Sequence, residues 1–98
     1  MNSFFIGIII AAATMCADFN KEECTCNDIY LSGVVNVVEY NEDFKVRVVD
    51  GFEDLTVTNS PYTAPSSCGN WYFNNNMNPN FTVRFVEYGE DFTIRIVE

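Results

Sequence analysis

From residue 38 onward, short bursts of alternating apolar and polar residues are separated by acidic turns. Phe44, Val46 and Val48 fall on one parity, and Lys45 and Arg47 on the other. Leu55 and Val57 oppose Thr56 and Thr58; Phe81, Val83 and Phe85 oppose Thr82 and Arg84; Phe92, Ile94 and Ile96 oppose Thr93 and Arg95. A period of two with β-branched and aromatic residues on one face predicts β-strands, and no stretch after residue 20 carries a helical stripe. The bursts belong to an eleven-residue unit found at 38–48 (VEYNEDFKVRV), 49–59 (VDGFEDLTVTN) and 86–96 (VEYGEDFTIRI), with a degenerate copy at 75–85 (NNMNPNFTVRF). The reading is an all-β domain of short strands, built from four such units in two modules. Each strand gains an outward valine at its end (Val49, Val86, Val97), so strand ends are expected to be covered on both sides. Asn41, Gly51 and Gly89, or Asn78-Pro79-Asn80 in the degenerate copy, mark the intervening segments as turns.

Outside the units the pattern is less regular. Ile29–Val38 predicts one further strand broken at Ser32-Gly33. Asn59–Ser67 carries two of the three prolines and predicts a loop. Cys68 to Phe73 turns into an aromatic strand, with Trp71 expected as a core anchor and an exposed ligand platform as the alternative.

The N-terminus changes the picture from a bare β domain to an exported one. Phe4–Ala13 is an uncharged apolar run, too short to span a bilayer, followed by small residues suited to cleavage after Ala13. The expected organisation is a signal peptide at 1–13, a cysteine-containing segment at 14–28 and the repeat-built domain at 29–98. Cys16, Cys24, Cys26 and Cys68 are an even set, suited to disulfides in a secreted or periplasmic protein. A Cys24–Cys26 bond would close a very tight ring, so one of that pair is expected to join Cys68 and the other Cys16. A four-thiolate zinc site is the competing reading, but Cys-Thr-Cys without a second close pair lacks the usual ligand spacing.

Composition narrows the function classes. The 98 residues are 48% hydrophobic, enough for a core, and the formal net charge is -9. Such a surface repels nucleic-acid phosphates and acidic membrane leaflets. There is no histidine, which removes the commonest general base and the usual nucleophile pairs. A non-enzyme without a cofactor is expected, monomeric, with no membrane insertion once the signal is cleaved.

The stretch VVEYNEDFKVRVVDGFEDLTV (37–57), then CGNW (68–71), then FTVRFVEYGEDFTIRIVE (81–98) resembles the septoil-knot domain family. The likeness covers about Ile29–Glu98. It implies a small β protein whose backbone forms a seven-crossing torus knot, and it implies no activity.

Three acidic pairs are the candidate chemistry: Glu42-Asp43, Glu53-Asp54 and Glu90-Asp91. A catalytic dyad is disfavoured, because adjacent strand residues face apart and an active site is not repeated. Calcium held by clustered turn oxygens is the alternative function. The leading reading is solvated turn acids that keep the surface soluble. Lys45, Arg47, Arg84 and Arg95 lie on the outward face, where neighbouring turn acids could pair with them. Asn80-Phe81-Thr82 is a possible glycosylation site at Asn80. The function expected is a non-catalytic binding or structural interaction protein, its partner an extracellular protein or a glycan.

Overall fold

The computed structural model describes residues 16, 18–61 and 67–97. The expected signal peptide at 1–13 therefore lies outside the described residues. Those that are described form nine strands: β1 (Phe19–Asn20), β2 (Thr25–Cys26), β3 (Ile29–Tyr30), β4 (Gly33–Val37), β5 (Phe44–Val48), β6 (Leu55–Asn59), β7 (Asn70–Phe73), β8 (Phe81–Phe85) and β9 (Phe92–Val97). No helix occurs among them. β1, β2 and β3 make a small antiparallel sheet, and the other six close into a barrel in the order β4-β7-β6-β9-β5-β8. Every pairing in the barrel is parallel. The four repeat units supply β5, β6, β8 and β9. The Ile29–Val38 segment breaks as its Ser-Gly predicts, giving β3 to the small sheet and β4 to the barrel.

The ring order interleaves the two halves of the chain. Each of β4, β5 and β6 lies between two of β7, β8 and β9. Successive strands within a half are thus not neighbours: the connection 38–43 spans β8, 49–54 spans β9, 74–80 spans β4 and 86–91 spans β5. Parallel strands usually need a crossover of a dozen or more residues, because the chain must return to the starting end. Here three crossings use six residues each. The register explains it. Val37 pairs with Val83, which pairs with Phe44, so the end of β4 is level with the start of β5. Val48, Ile94 and Leu55 repeat the arrangement from β5 to β6, and Phe85, Val46 and Phe92 from β8 to β9. A crossing therefore travels sideways by only two strand spacings, about 10 Å.

The inward parity read from the repeats holds for the first two residues of each face, whereas Val48, Phe85 and Ile96 at the strand ends are exposed, so those ends are not covered on both sides as expected. Phe44, Val46, Leu55, Val57, Phe81, Val83, Phe92 and Ile94 are buried, together with Val35 and Trp71. Phe44 lies 5.6 Å from Phe81 and 5.7 Å from Phe92 between ring centroids, and Trp71 5.2 Å from Phe81, spacings at which aromatic pairs attract beyond their buried area. β7 is one residue out of phase with the other strands: Trp71 and Phe73 point inward, opposite Gly33 and Val35. The extra residue is absorbed by the seven-residue crossing 74–80.

The N-terminal sheet closes one end of this core. Phe19 stacks on Phe92 at 5.3 Å, and Cys24, Cys26 and Leu31 are buried with the barrel residues. Cys16 is bonded to Cys26 and Cys24 to Cys68, one of the pairings that the tight Cys24–Cys26 spacing leaves open. The second bridge spans 44 residues and, in the chain-entropy treatment, is worth about 4 kcal/mol. Its surroundings account for Cys-Gly-Asn-Trp. Gly69 has φ 82° and a side chain there would collide with the Thr56 carbonyl, while Trp71 Nε1 donates to the Leu31 carbonyl at 3.0 Å. Trp71 is a core anchor and not an exposed platform.

Interleaving has a kinetic consequence, since neither half has adjacent strands to pair within itself. β4–β6 gain their ladders only when β7–β9 thread between them, so loop-closure entropy precedes most of the stabilising contacts. With both disulfides intact, refolding from denaturant should occupy seconds or longer and unfolding should be slower still. Stopped-flow fluorescence of Trp71 measures both, and refolding complete within milliseconds would contradict the interleaved route.

Candidate functional site

The acidic pairs do not merely face solvent, as the leading sequence reading expected. Each grips the strand that its own connection crosses. Asp43 Oδ2 accepts hydrogen bonds from Thr82 N at 2.8 Å and Thr82 Oγ1 at 3.3 Å, and Asp43 N donates back to Thr82 Oγ1 at 2.8 Å. One unit along, Asp54 and Thr93 repeat this at 2.9, 3.2 and 2.9 Å. The preceding glutamates reach the arginine two residues further along the same strand. Glu42 meets Arg84 at 3.1 Å, Glu53 meets Arg95 at 3.0 Å, and Glu90 meets Arg47 at 3.0 Å. The pairs thus form two-pronged clasps, Asp on Thr and Glu on Arg, and three of the four outward barrel cations are consumed by them.

The third clasp deviates. On β5 the threonine position is Lys45, so Asp91 Oδ2 accepts only the Lys45 backbone N–H at 2.8 Å. Its other oxygen takes the Cys16 N–H at 3.0 Å, which ties the N-terminal segment to the barrel. The crossing over β4 replaces acids by amides. Asn80 Oδ1 accepts Val34 N at 2.8 Å, while Asn75 Oδ1 accepts Val37 N and its Nδ2 donates to Val37 O, both at 2.8 Å. The sequon residue Asn80 is exposed, with its carbonyl oxygen committed to this clasp.

The hydrogen bonds that each glutamate receives hold its carboxyl below the ordinary value of 4.5. For Glu42 and Glu90 the arginine bond is the main cause, and for Glu53 the bond from Thr56 Oγ1 at 2.7 Å comes first, ahead of Arg95. All three stay ionised around neutrality. Among the described residues no three His, Cys, Asp or Glu side chains come together closely enough to hold a metal ion. The six oxygen-bearing residues of the calcium alternative are distributed over three separate clasps, each turned toward a strand.

What the clasps lift outward is aromatic. Tyr40 is 73% exposed and Tyr88 84%, and Phe52 is fully exposed. They top the crossings over β8, β5 and β9, three neighbours in the ring, so they share one side of the barrel. The fourth residue of each of these crossings has left-handed backbone: Asn41 at φ 61°, Gly89 at 77° and Phe52 at 58°. Asn and Gly accept that conformation readily, whereas a bulky phenylalanine is strained there. Phe52 is therefore both strained and solvated, two costs that its own turn does not need. Two clefts lie beside the crossings 38–43 and 86–91, one of them reaching Tyr88 and the other Asn27 and Ile29. One of about 480 Å³ is bordered by Lys45, Arg84, Phe85, Glu87 and Tyr88, and one of about 590 Å³ by Lys45, Arg84, Asn41, Glu42 and Asp43. Lys45 and Arg84 are direct neighbours in register and form the wall between them.

Sequence reasoning does not single out the aromatic tips, and it expects Lys45 to pair with turn acids as the three arginines do, whereas among the described residues only the arginines form ion pairs. The signal lay in the columns of the repeat, where Thr82 and Thr93 align with Lys45, and Asn41 and Gly89 align with Phe52.

A family model described as the 7(1) septoil knot domain matches residues 28–98. No curated protein and no solved structure gives a match.

The clasps rank their own members. A carboxylate accepting a backbone N–H is a charge-assisted bond in fixed geometry, while an ion pair with a half-open arginine is screened by water. Asp54→Ala should cost roughly 1–2 kcal/mol, like loss of a charged backbone cap, and Glu53→Gln distinctly less, as read by denaturant midpoints. The depressed glutamates give a pH prediction of fixed sign. A carboxyl whose folded value is lowered stabilises above its unfolded value and loses that contribution as the pH falls through the folded one. The melting temperature should be level from neutrality down to about pH 5 and should drop below the ordinary glutamate value of 4.5. Joint replacement of Glu42, Glu53 and Glu90 by Gln should flatten that drop.

Proposed function

The chain belongs to the septoil-knot domain family, whose description names a topology and no activity; from its surface we propose that this member is a non-catalytic recognition module of an oxidising compartment, secreted or periplasmic. It holds an extracellular partner, protein or glycan, against the side of the barrel that carries Tyr40, Phe52 and Tyr88. The observation that carries this reading is Phe52. A fully exposed phenylalanine in a left-handed turn lowers stability twice, and strain of this kind persists where it is used. The neighbouring crossings present Tyr40 and Tyr88 on the same side, and aromatic side chains are the residue type most enriched at recognition hot spots. The clasps supply a rigid base for all three.

Two disulfides support the compartment. A closed barrel leaves its six strands without a free edge, which together with a net charge of -9 supports a monomer. The non-catalytic reading is supported by the absence of histidine and by the commitment of the paired carboxylates to Thr and Arg partners. The same commitment weighs against the calcium-stabilised module, because the ion would have to displace bonds that hold the crossings down.

Phe52→Asn, which installs the residue found at position 41, should raise the melting temperature by relieving the backbone and should weaken retention of the native partner. Calorimetry gives the first reading. Retention of material from the native medium, compared between the wild-type chain and a Tyr40→Ala, Phe52→Asn, Tyr88→Ala variant, gives the second. Equal retention by the two would defeat the aromatic-face reading. A melting temperature that rises in millimolar calcium relative to chelator would restore the calcium module in its place.

A further inference from the structure

We propose that the cleft between β5, β8 and the crossing 86–91 is a binding site for a neutral oligosaccharide. This rests on the recognition role above and assigns it a chemistry and a place. The cleft has about 480 Å³, within the range of sites that hold small ligands, and its border contains Lys45, Arg84, Phe85, Glu87 and Tyr88.

The repeat shows which of these residues the fold does not require. At the second position of each clasped repeat strand, the barrel uses the hydroxyl of Thr82 or Thr93 to receive an aspartate N–H. Lys45 occupies the same position on β5 and serves its clasp with backbone groups alone, its N–H donating to Asp91 Oδ2 and its carbonyl accepting the Asp91 N–H. No hydroxyl is needed there, because the Asp91 N–H donates to the Lys45 carbonyl at 2.7 Å and the free Asp91 oxygen takes the Cys16 N–H. The Lys45 ammonium enters none of the ion pairs among the described residues, although every arginine of the barrel is paired. Its charge acts on Glu42 only at a distance, as the smallest of the causes that lower that carboxyl, so a cation at the wall of a cleft keeps its donors for a ligand.

The rest of the border fixes the class of that ligand. Tyr88 and Phe85, 84% and 42% exposed, offer an aromatic flank suited to the C–H face of a sugar ring. Lys45 donates, Glu87 accepts, and Arg84 is already held in an ion pair by Glu42, to which its Nη2 donates. A sugar hydroxyl both donates and accepts, so it satisfies such a mixed border without bringing in charge. A polyanion would instead meet the field of a chain at -9.

Titration of the ¹⁵N-labelled chain with chitotriose, cellotriose and mannotriose, and with a sulfated heparin oligosaccharide as comparator, tests the site by NMR. The expected result is saturable shifts at Lys45 and residues 84–89 with at least one neutral trisaccharide and none with the sulfated one. Lys45→Thr restores the repeat's own clasp residue, so it should keep or raise the melting temperature while weakening that trisaccharide about tenfold, and Tyr88→Ala should weaken it similarly. No saturable shifts with any neutral trisaccharide, tighter binding of the sulfated comparator, or unchanged affinity in Lys45→Thr would each overturn the proposal. Shifts centred on Phe52 or Tyr40 would also remove this cleft but leave the recognition module standing. Loss of that module is read separately, from equal retention of the native partner by the tip variants.

Discussion

Val37, Val83 and Phe44 lie at one level of the ring, and the stagger that puts them there is the constraint from which the rest of the molecule follows. With each strand starting where the strand two places before it ended, a five-residue strand and a six-residue crossing make one closed step. That sum is the eleven-residue repeat. A shift of one residue would turn Phe44 and Val46 outward and carry Lys45 and Arg47 into the core. Hydrophobic parity therefore forbids single slips, but it does not by itself forbid slips of two. Those are opposed by the clasps, because a two-residue slip would set Asp43 against Arg84 and not Thr82, and leave Glu42 without its arginine.

The clasps also change the meaning of the acidity. Glu42-Asp43, Glu53-Asp54 and Glu90-Asp91 contribute six of the fourteen acidic residues, and each carboxylate is spent on the neighbouring strand. Much of the negative charge is thus a by-product of how crossings are fastened, and not a field evolved to attract a cation. The crossing over β4 supports this. It does the same work with Asn75 and Asn80, neutral amides that bond to Val37 and Val34. The fastening requires an oxygen aimed at a backbone N–H, and charge is one way of strengthening it.

Strand faces were legible in the sequence because alternation at Phe44–Val48 or Phe92–Ile96 has one physical cause, burial of one side. Strand direction was not. An antiparallel ladder needs only a short Asn- or Gly-bearing turn, and Tyr40-Asn41 or Tyr88-Gly89 looks the same whether the chain reverses there or moves sideways. Parallel closure depends on register between strands far apart in sequence, such as Val35 with Phe81, and no local pattern records it. General rules of chain connection even argue against threading, so the knotted topology was accessible only through family resemblance. The two disulfides were partly legible, since the closeness of Cys24 and Cys26 excluded one pairing but could not choose between Cys16–Cys26 and Cys16–Cys24. The site was the least visible part. Tyr40, Phe52 and Tyr88 read as turn residues, and their exposure appears only once the acids beside them are seen to face inward onto the crossed strands.

A repeat provides its own control for separating structural from functional residues. Where a column of the repeat changes and a neighbour changes to match, the new residue still serves the fold. The amides of 74–80 are of this kind, since they restore bonds to β4 that Asp and Glu would have made elsewhere. Where a column changes and the fold merely tolerates it, another cause is needed. Lys45 costs its clasp a hydroxyl and leaves the bonding to its backbone N–H and carbonyl, yet its ammonium enters no ion pair among the described residues. Phe52 puts an aromatic ring where Asn41 and Gly89 show that a small or polar residue is easier. Both exceptions lie on the stretch of wall made by β9, β5 and β8. The other side of the ring, where β6 and β7 are not crossed, has no comparable aromatic tip among the described residues. Deviation from the repeat and exposure of aromatic surface therefore coincide on one face. The regular crossings all lie on that wall, so position alone argues nothing; the ground for reading this face as the working surface is that the strain and exposure of Phe52 bring no return within the fold.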